Sequence, residues 1–271
     1  MEQIKDILKR ANTEKLDSNY SNISRIERQV RDYNDSEGMK NAADIYDCVK
    51  CKNKGYIAFN DNEMFITKPC ECLKIRKVIK DLDKSGIGAA NKNTFENYNT
   101  TEKWQEDILN KAKAFVSEPM GEKWFFIGGQ VGAGKTHIGK AIAYELIKQG
   151  VFVQYMEWQK EVQTLNAFAN DPEYLEKIGK FITPKVLYID DFLKTSGNSK
   201  PTSGEIKRAC DIIYQRYNQG NCVIIISSEK NINEIMELDE GTGSRICERA
   251  GEYIINISRD EKKNYRLYPE K

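Results

Sequence analysis

One stretch, Gly129-Gln130-Val131-Gly132-Ala133-Gly134-Lys135-Thr136, reads G-x-x-x-x-G-K-T and limits what the chain around it can fold into. It follows the apolar run Trp124, Phe125, Phe126, Ile127, which reads as a buried strand. It precedes Ile138, Ala141, Ile142, Leu146 and Ile147 at helical spacing. A strand turning through glycines into a helix is the setting in which this motif binds phosphate. Gly132 and Gly134 free the backbone to turn its N–H groups inward, and the helix adds its positive N-terminal end. Lys135 then supplies a point charge for the β- and γ-phosphates, and the Thr136 hydroxyl can hold a magnesium ion. The first expectation is therefore a nucleotide-binding α/β domain.

Composition sets the wider bounds. The 271 residues allow one large domain or two, and 39% apolar residues is enough for a substantial core. A formal net charge of +1 favours neither a nucleic-acid coat nor a membrane surface, so any DNA contact must be local. No apolar stretch approaches the roughly 20 residues that span a bilayer, and the start Met-Glu-Gln-Ile-Lys-Asp lacks a secretory profile. A cytoplasmic protein with no membrane partner is expected.

Residues 1–92 are read as a separate region. Ile4, Ile7 and Leu8 form one short helical stripe, and Ile23, Ile26, Val30 and Tyr33 form a second. Then Cys48-Val49-Lys50-Cys51 is followed by a hairpin pattern, Gly55 to Phe59 and Met64 to Ile66 around a turn at Asn60-Asp61-Asn62, and by Cys70-Glu71-Cys72. Two closely spaced cysteine pairs at the base of a hairpin can bring four thiolates to one tetrahedral structural zinc, in a module of about residues 46–75 too small to hold itself by burial. Cys210, Cys222 and Cys247 are scattered and are not expected to contribute. A further helix carries Lys74, Arg76, Lys77 and Lys80, a basic face that either touches DNA or is simply solvated, and Ser85-Gly86-Ile87-Gly88 ends it.

Residues 93–271 alternate strands and helices. Strands are expected at Val151–Met156, Val186–Ile189, Cys222–Ile226 and Tyr253–Ile257 besides the one before the phosphate loop, giving a five-stranded parallel sheet between helices. The strand Val186–Ile189 delivers Asp190 and Asp191 to the edge that the phosphate loop shares. Asp190 fits a magnesium ligand, and Asp191 is placed to polarise an attacking water. Ser227, Ser228 and Glu229 either sense a γ-phosphate or cap the helix beginning near Ile232. Arg245 and Arg249 are either surface ion-pair residues or arginines that complete a neighbouring subunit's site.

With these residues in view, the chain resembles the DnaC/DnaI-type bacterial and phage replicative helicase loaders of the AAA+ ATPases. The resemblance rests on the C-x-x-C, Gly55-Tyr56-Ile57 and C-x-C run, Asn93-Thr94-Phe95-Glu96-Asn97-Tyr98, Gly134-Lys135-Thr136-His137, Ile189-Asp190-Asp191, Ile226-Ser227-Ser228-Glu229 and Gly243-Ser244-Arg245-Ile246-Cys247-Glu248-Arg249. It implies an ATPase that binds the replicative hexameric helicase through residues 1–92, places it on single-stranded DNA and self-associates through residues 93–271. On that likeness Gly129 to His137 and Ser228 line the ATP site, Asp190 and Asp191 are the Walker B acids, and Arg249, then Arg245, is the arginine finger. Asp191 stands where many AAA+ proteins have glutamate, and Glu229 where many have asparagine. The short span after the last strand is expected to leave no helical lid. A transposition-associated AAA+ ATPase is the alternative, against which the cysteine module argues.

Overall fold

A computed structural model describes residues 24–44, 46–119, 121–195, 197 and 199–267. The stripe of Ile4, Ile7 and Leu8, together with Ile23, lies outside the described residues. The chain divides into two compact units between Lys77 and Val78, which places residues 78–92 with the larger unit.

The smaller unit begins with helix α1 (Arg25–Asp35), started by a capping box in which Ser24 and Glu27 satisfy each other's backbone N–H groups. Ile26, Val30 and Tyr33 are the half-buried residues of its stripe. The single turn α2 (Asn41–Asp44) leads to an antiparallel hairpin, β1 (Tyr56–Asp61) and β2 (Met64–Pro69). Its turn falls at Asn62 and Glu63, both at positive φ (50° and 62°), as a two-residue hairpin of the I′ kind requires. The Asn34 side chain occupies the free edge of β1, donating to the Ala58 carbonyl and accepting from its N–H, each at 2.9 Å. The unit's last helix, α3 (Cys72–Ser85), contains the division between the units. Arg76 does not belong to an open basic face. It is 7% exposed, paired with Asp44, and donates to Asn53 at 2.9 Å. An arginine so enclosed by acceptors fastens the cysteine loop.

In the larger unit α4 (Lys103–Ser117) precedes β3 (Phe125–Gly129), α5 (Lys135–Lys148), β4 (Val153–Glu157), α6 (Trp158–Ala167), α7 (Tyr174–Ile182) and β5 (Val186–Asp190). Then come α8 (Ser203–Gln219), β6 (Val223–Ser228), α9 (Ile232–Leu238), α10 (Glu240–Ala250) and β7 (Ile254–Ile257). The sheet is parallel in the order β4-β5-β6-β3-β7. Every residue of β3, β5 and β6 is buried, so these strands read as unbroken apolar runs. Alternation still sorts the two faces. Phe125, Ile127, Val186, Tyr188, Val223 and Ile225 pack with α4 and α5, whereas Phe126, Leu187, Ile189, Ile224 and Ile226 pack with α6 to α10. This three-layer α/β/α sandwich leaves the carboxyl ends of β3 and β5 at one edge.

Candidate functional site

The phosphate loop runs from the end of β3 into α5, and Gly134 takes the left-handed conformation (φ 82°) that lets it cap the helix. Lys135 folds back on this loop, its Nζ donating to the carbonyls of Gly129 at 2.9 Å and Gln130 at 2.6 Å. Burial lowers its pKa to about 8, against the opposing pull of Glu229 and Asp191. The result is a partly dehydrated ammonium that, among the described residues, has no carboxylate in direct contact, a state that an entering anion stabilises.

Thr136 donates to Asp190 Oδ1 at 2.9 Å. The same oxygen accepts from Tyr188 (2.9 Å) and from the Ser227 hydroxyl, and Oδ2 accepts from Tyr155 at 3.0 Å. Burial first, and the Asp190 charge second, push both phenols well above their ordinary range, so they remain donors. Tyr188 reaches this position past α5 because residue 139 is glycine. A Cβ there would lie 2.4 Å from the phenol oxygen. The Thr136 and Asp190 oxygens form a donor set suited to a hard cation such as magnesium.

Asp191 is also at positive φ, 56°, and faces a cavity of about 490 Å³ that Lys135, Thr136, His137 and Glu229 line with it. A nucleotide-sized space thus opens directly on the loop. His137 is fixed by its Nε2, 2.9 Å from the Thr94 carbonyl, and by the edge-on ring of Tyr98 at 5.3 Å. Gln130 accepts from the Asp260 N–H at 3.0 Å, and the Tyr265 N–H donates to the Gly132 carbonyl at 3.1 Å. The segment after β7 therefore lies against the phosphate loop, and Tyr265 and Arg266 join the cavity wall.

Other expected residues lie elsewhere. Ser228 is fully buried and donates to the Phe192 carbonyl at 2.7 Å while accepting from Lys230 N–H, so it shapes the loop after β5 and is not among the residues lining the phosphate-loop cavity. Its neighbour Ser227 is the serine that touches Asp190. Arg245 and Arg249 sit on α10, away from this chain's own loop. The Arg245 guanidinium lies 3.7 Å from the Tyr214 ring centroid, and Arg249 pairs with Glu122 and lies over Tyr217. Tyr155, Tyr188 and Lys194 were not singled out as site residues from sequence, and Ser227 was named only as one of three residues that either sense a γ-phosphate or cap a helix. Tyr188 had a signal, since it stands two places before Asp190 and so shares its face of β5. Tyr155 had none, because only the pairing of β4 with β5 sets it beside Tyr188.

In the smaller unit, Cys48, Cys51, Cys70 and Cys72 are all buried, with their sulfurs within 4.8 Å of one another. The Cys48–Cys70 and Cys51–Cys72 separations are 3.8 and 3.5 Å. Tetrahedral zinc with bonds of about 2.3 Å spaces its sulfurs by about 3.8 Å, whereas a disulfide needs about 2 Å. The four thiols fit a zinc ion that they would hold as a structural site.

A phosphate loop at the end of β3, an acid at the end of β5 within reach of the loop threonine, and a parallel sheet between helices define a P-loop NTPase fold. Residues 105–268 match the family model described as novel STAND NTPase 3. The phage-like element PBSX protein XkdC of Bacillus subtilis (strain 168) is 30% identical over 226 residues, covering 79% of this chain and 84% of that protein. The replicative helicase loader DnaC of Escherichia coli (strain K12) is 37% identical over 76 residues, 27% of this chain and 31% of DnaC. In fold alone, a crystal structure of the DnaC helicase loader matches with a TM-score of 0.50 at 18% identity, covering 62% of this chain and 97% of that one. The chain belongs to the novel STAND NTPase 3 family, and over part of its length it is similar to DnaC.

Proposed function

We propose that this chain is an ATP-dependent loader that places a replicative hexameric DNA helicase on single-stranded DNA, with ATP binding and hydrolysis acting as its switch. The observation that carries the reading is the meeting of Lys135 and Thr136 at one cavity, with Thr136 already 2.9 Å from the buried Asp190. In this reading Gly129 to His137 cradle the phosphates, and Lys135 leaves its two carbonyls for the β- and γ-phosphates. Thr136 and Asp190 hold magnesium, which when bound supplies charge neutralisation for the transferred phosphoryl group. Asp191 orients and polarises the attacking water. Arg249, or failing it Arg245, reaches the γ-phosphate of an adjacent subunit. Residues 1–92, with their zinc-held cysteines, bind the helicase, and residues 93–271 form the ATPase part.

Support for the loader role comes from the likeness to DnaC, and for the switch from a site whose acids and cations are tightly partnered within the chain. Co-elution with a hexameric helicase, assayed with ATP, with a non-hydrolysable analogue and without nucleotide, tests it. A nucleotide-dependent complex is expected. ATP turnover that neither helicase nor single-stranded DNA alters, with no complex in any state, would remove the reading.

A further inference from the structure

The loop after β5 is built under strain for a visible purpose. Asp191 and Leu193 both stand at φ 56°, although neither is glycine. Such residues cost about 1 kcal/mol or more each and persist only where the surroundings over-determine them. Here the surroundings do so. The Phe192 N–H donates to the Ser227 carbonyl at 2.8 Å, Ser228 donates to the Phe192 carbonyl at 2.7 Å, and the buried Phe192 ring packs edge-on against Trp158 at 4.9 Å. What this turn presents is Lys194, whose Nζ lies 2.9 Å from Asp191 Oδ2 and 2.9 Å from Glu229 Oε1. Both acids and the lysine line the cavity that also holds Lys135.

Two carboxylates facing the place of a terminal phosphate oppose its entry, and the repulsion grows with each added phosphate charge. Lys194 offsets one of them. Its side chain is 25% exposed and ends in a single ammonium on a flexible stem, so it can change partners without moving the loop. We infer that Lys194 is the residue by which this site tells a nucleoside triphosphate from a diphosphate: shared between Asp191 and Glu229 in the free protein, it passes to the terminal phosphate of a bound triphosphate. That transfer also releases Asp191 to act on water. The inference rests on the reading of this cavity as the ATP site. It assigns Lys194 a role distinct from that of Lys135, which sits at the loop itself.

Equilibrium binding of ADP and of the β,γ-imido analogue of ATP, both with magnesium, tests it on the full chain. Lys194→Met is expected to weaken the analogue roughly ten-fold or more, the loss of one charge-assisted contact, and to leave ADP within about two-fold. Lys194→Arg, which keeps the cation, is expected to restore most of the preference. Glu229→Gln, which frees the lysine from one partner, is expected to tighten the analogue relative to ADP. Equal weakening of both nucleotides by Lys194→Met would mean that the lysine only fastens the loop, and that result overturns the inference. Should Lys194→Met fail to fold, an unchanged ratio in Glu229→Gln overturns it equally. A wild-type protein that binds neither nucleotide overturns the reading of the cavity itself, whereas one that binds both while the variants keep its ratio overturns the role of Lys194 alone.

Discussion

Asp190 and Asp191 are adjacent in sequence but differ in surroundings. Asp190 is 6% exposed and accepts from four hydroxyls, those of Thr136, Tyr155, Tyr188 and Ser227, so its rotamer is fixed before any ligand arrives. Asp191 lines the cavity, and among the described residues its carboxylate pairs with Lys194. A fixed acid suits a metal ligand, and a cavity-facing one suits a group that must act on water. Asp191→Asn is therefore expected to keep ATP binding within a few-fold and to slow turnover by roughly a hundred-fold, the usual contribution of a positioned base. Single-turnover hydrolysis beside a binding titration measures both, and turnover close to that of the wild type would move the role elsewhere. The two acids were legible because an apolar strand ended in them. The contacts of Tyr155 and Ser227 with Asp190 were not, because these two reach it only through the pairing of β4, β5 and β6, which no local pattern encodes.

At the scale of elements, periodicity located strands and helices well, since continuous apolar runs such as Val223 to Ile226 have no alternative to a doubly covered sheet. Contacts that depend on one long side chain were invisible. Arg216 on α8 is fully buried and donates to the carbonyls of Phe181, Ile182, Pro184, Lys185 and Val223, joining α7, the approach to β5 and the start of β6. Burial lowers its pKa to about 10. Removing it strands those acceptors, so Arg216→Ala is expected to cost about 3 kcal/mol or more and to lower the melting temperature by roughly 6–12 °C. A melt within about 2 °C of the wild type would show that water serves the carbonyls as well. In the smaller unit, sulfur separations of 3.5 and 3.8 Å lead to the expectation of one zinc ion per chain held by Cys48, Cys51, Cys70 and Cys72. Metal analysis of protein purified without chelator checks this. Zinc retained undiminished by a Cys51→Ser, Cys72→Ser double variant would place the ion elsewhere.

For the whole molecule, the proposed function makes the arginines of α10 the residues through which subunits would cooperate. Arg249 is held by Glu122 and by the ring of Tyr217, clear of its own phosphate loop. Arg249→Ala is expected to leave ATP binding by an isolated chain nearly intact and to reduce turnover in the assembled form. Mixing supplies the check. Lys135→Ala chains, which keep Arg249, should restore turnover to Arg249→Ala chains, and no restoration in a mixture shown to co-assemble would confine Arg249 to its own chain. After β7 the segment around Asp260 and Tyr265 lies on the phosphate loop, an arrangement that no local sequence pattern announced. The loader reading as a whole is tested most directly by transfer of a hexameric helicase to circular single-stranded DNA, measured as helicase bound to the circle with wild-type chain, with Lys135→Ala and with none. The expected result is transfer that requires both the wild-type chain and ATP, and near-background transfer with Lys135→Ala. Transfer by Lys135→Ala equal to that of the wild type, or none above background with a helicase that the wild-type chain binds, would contradict it.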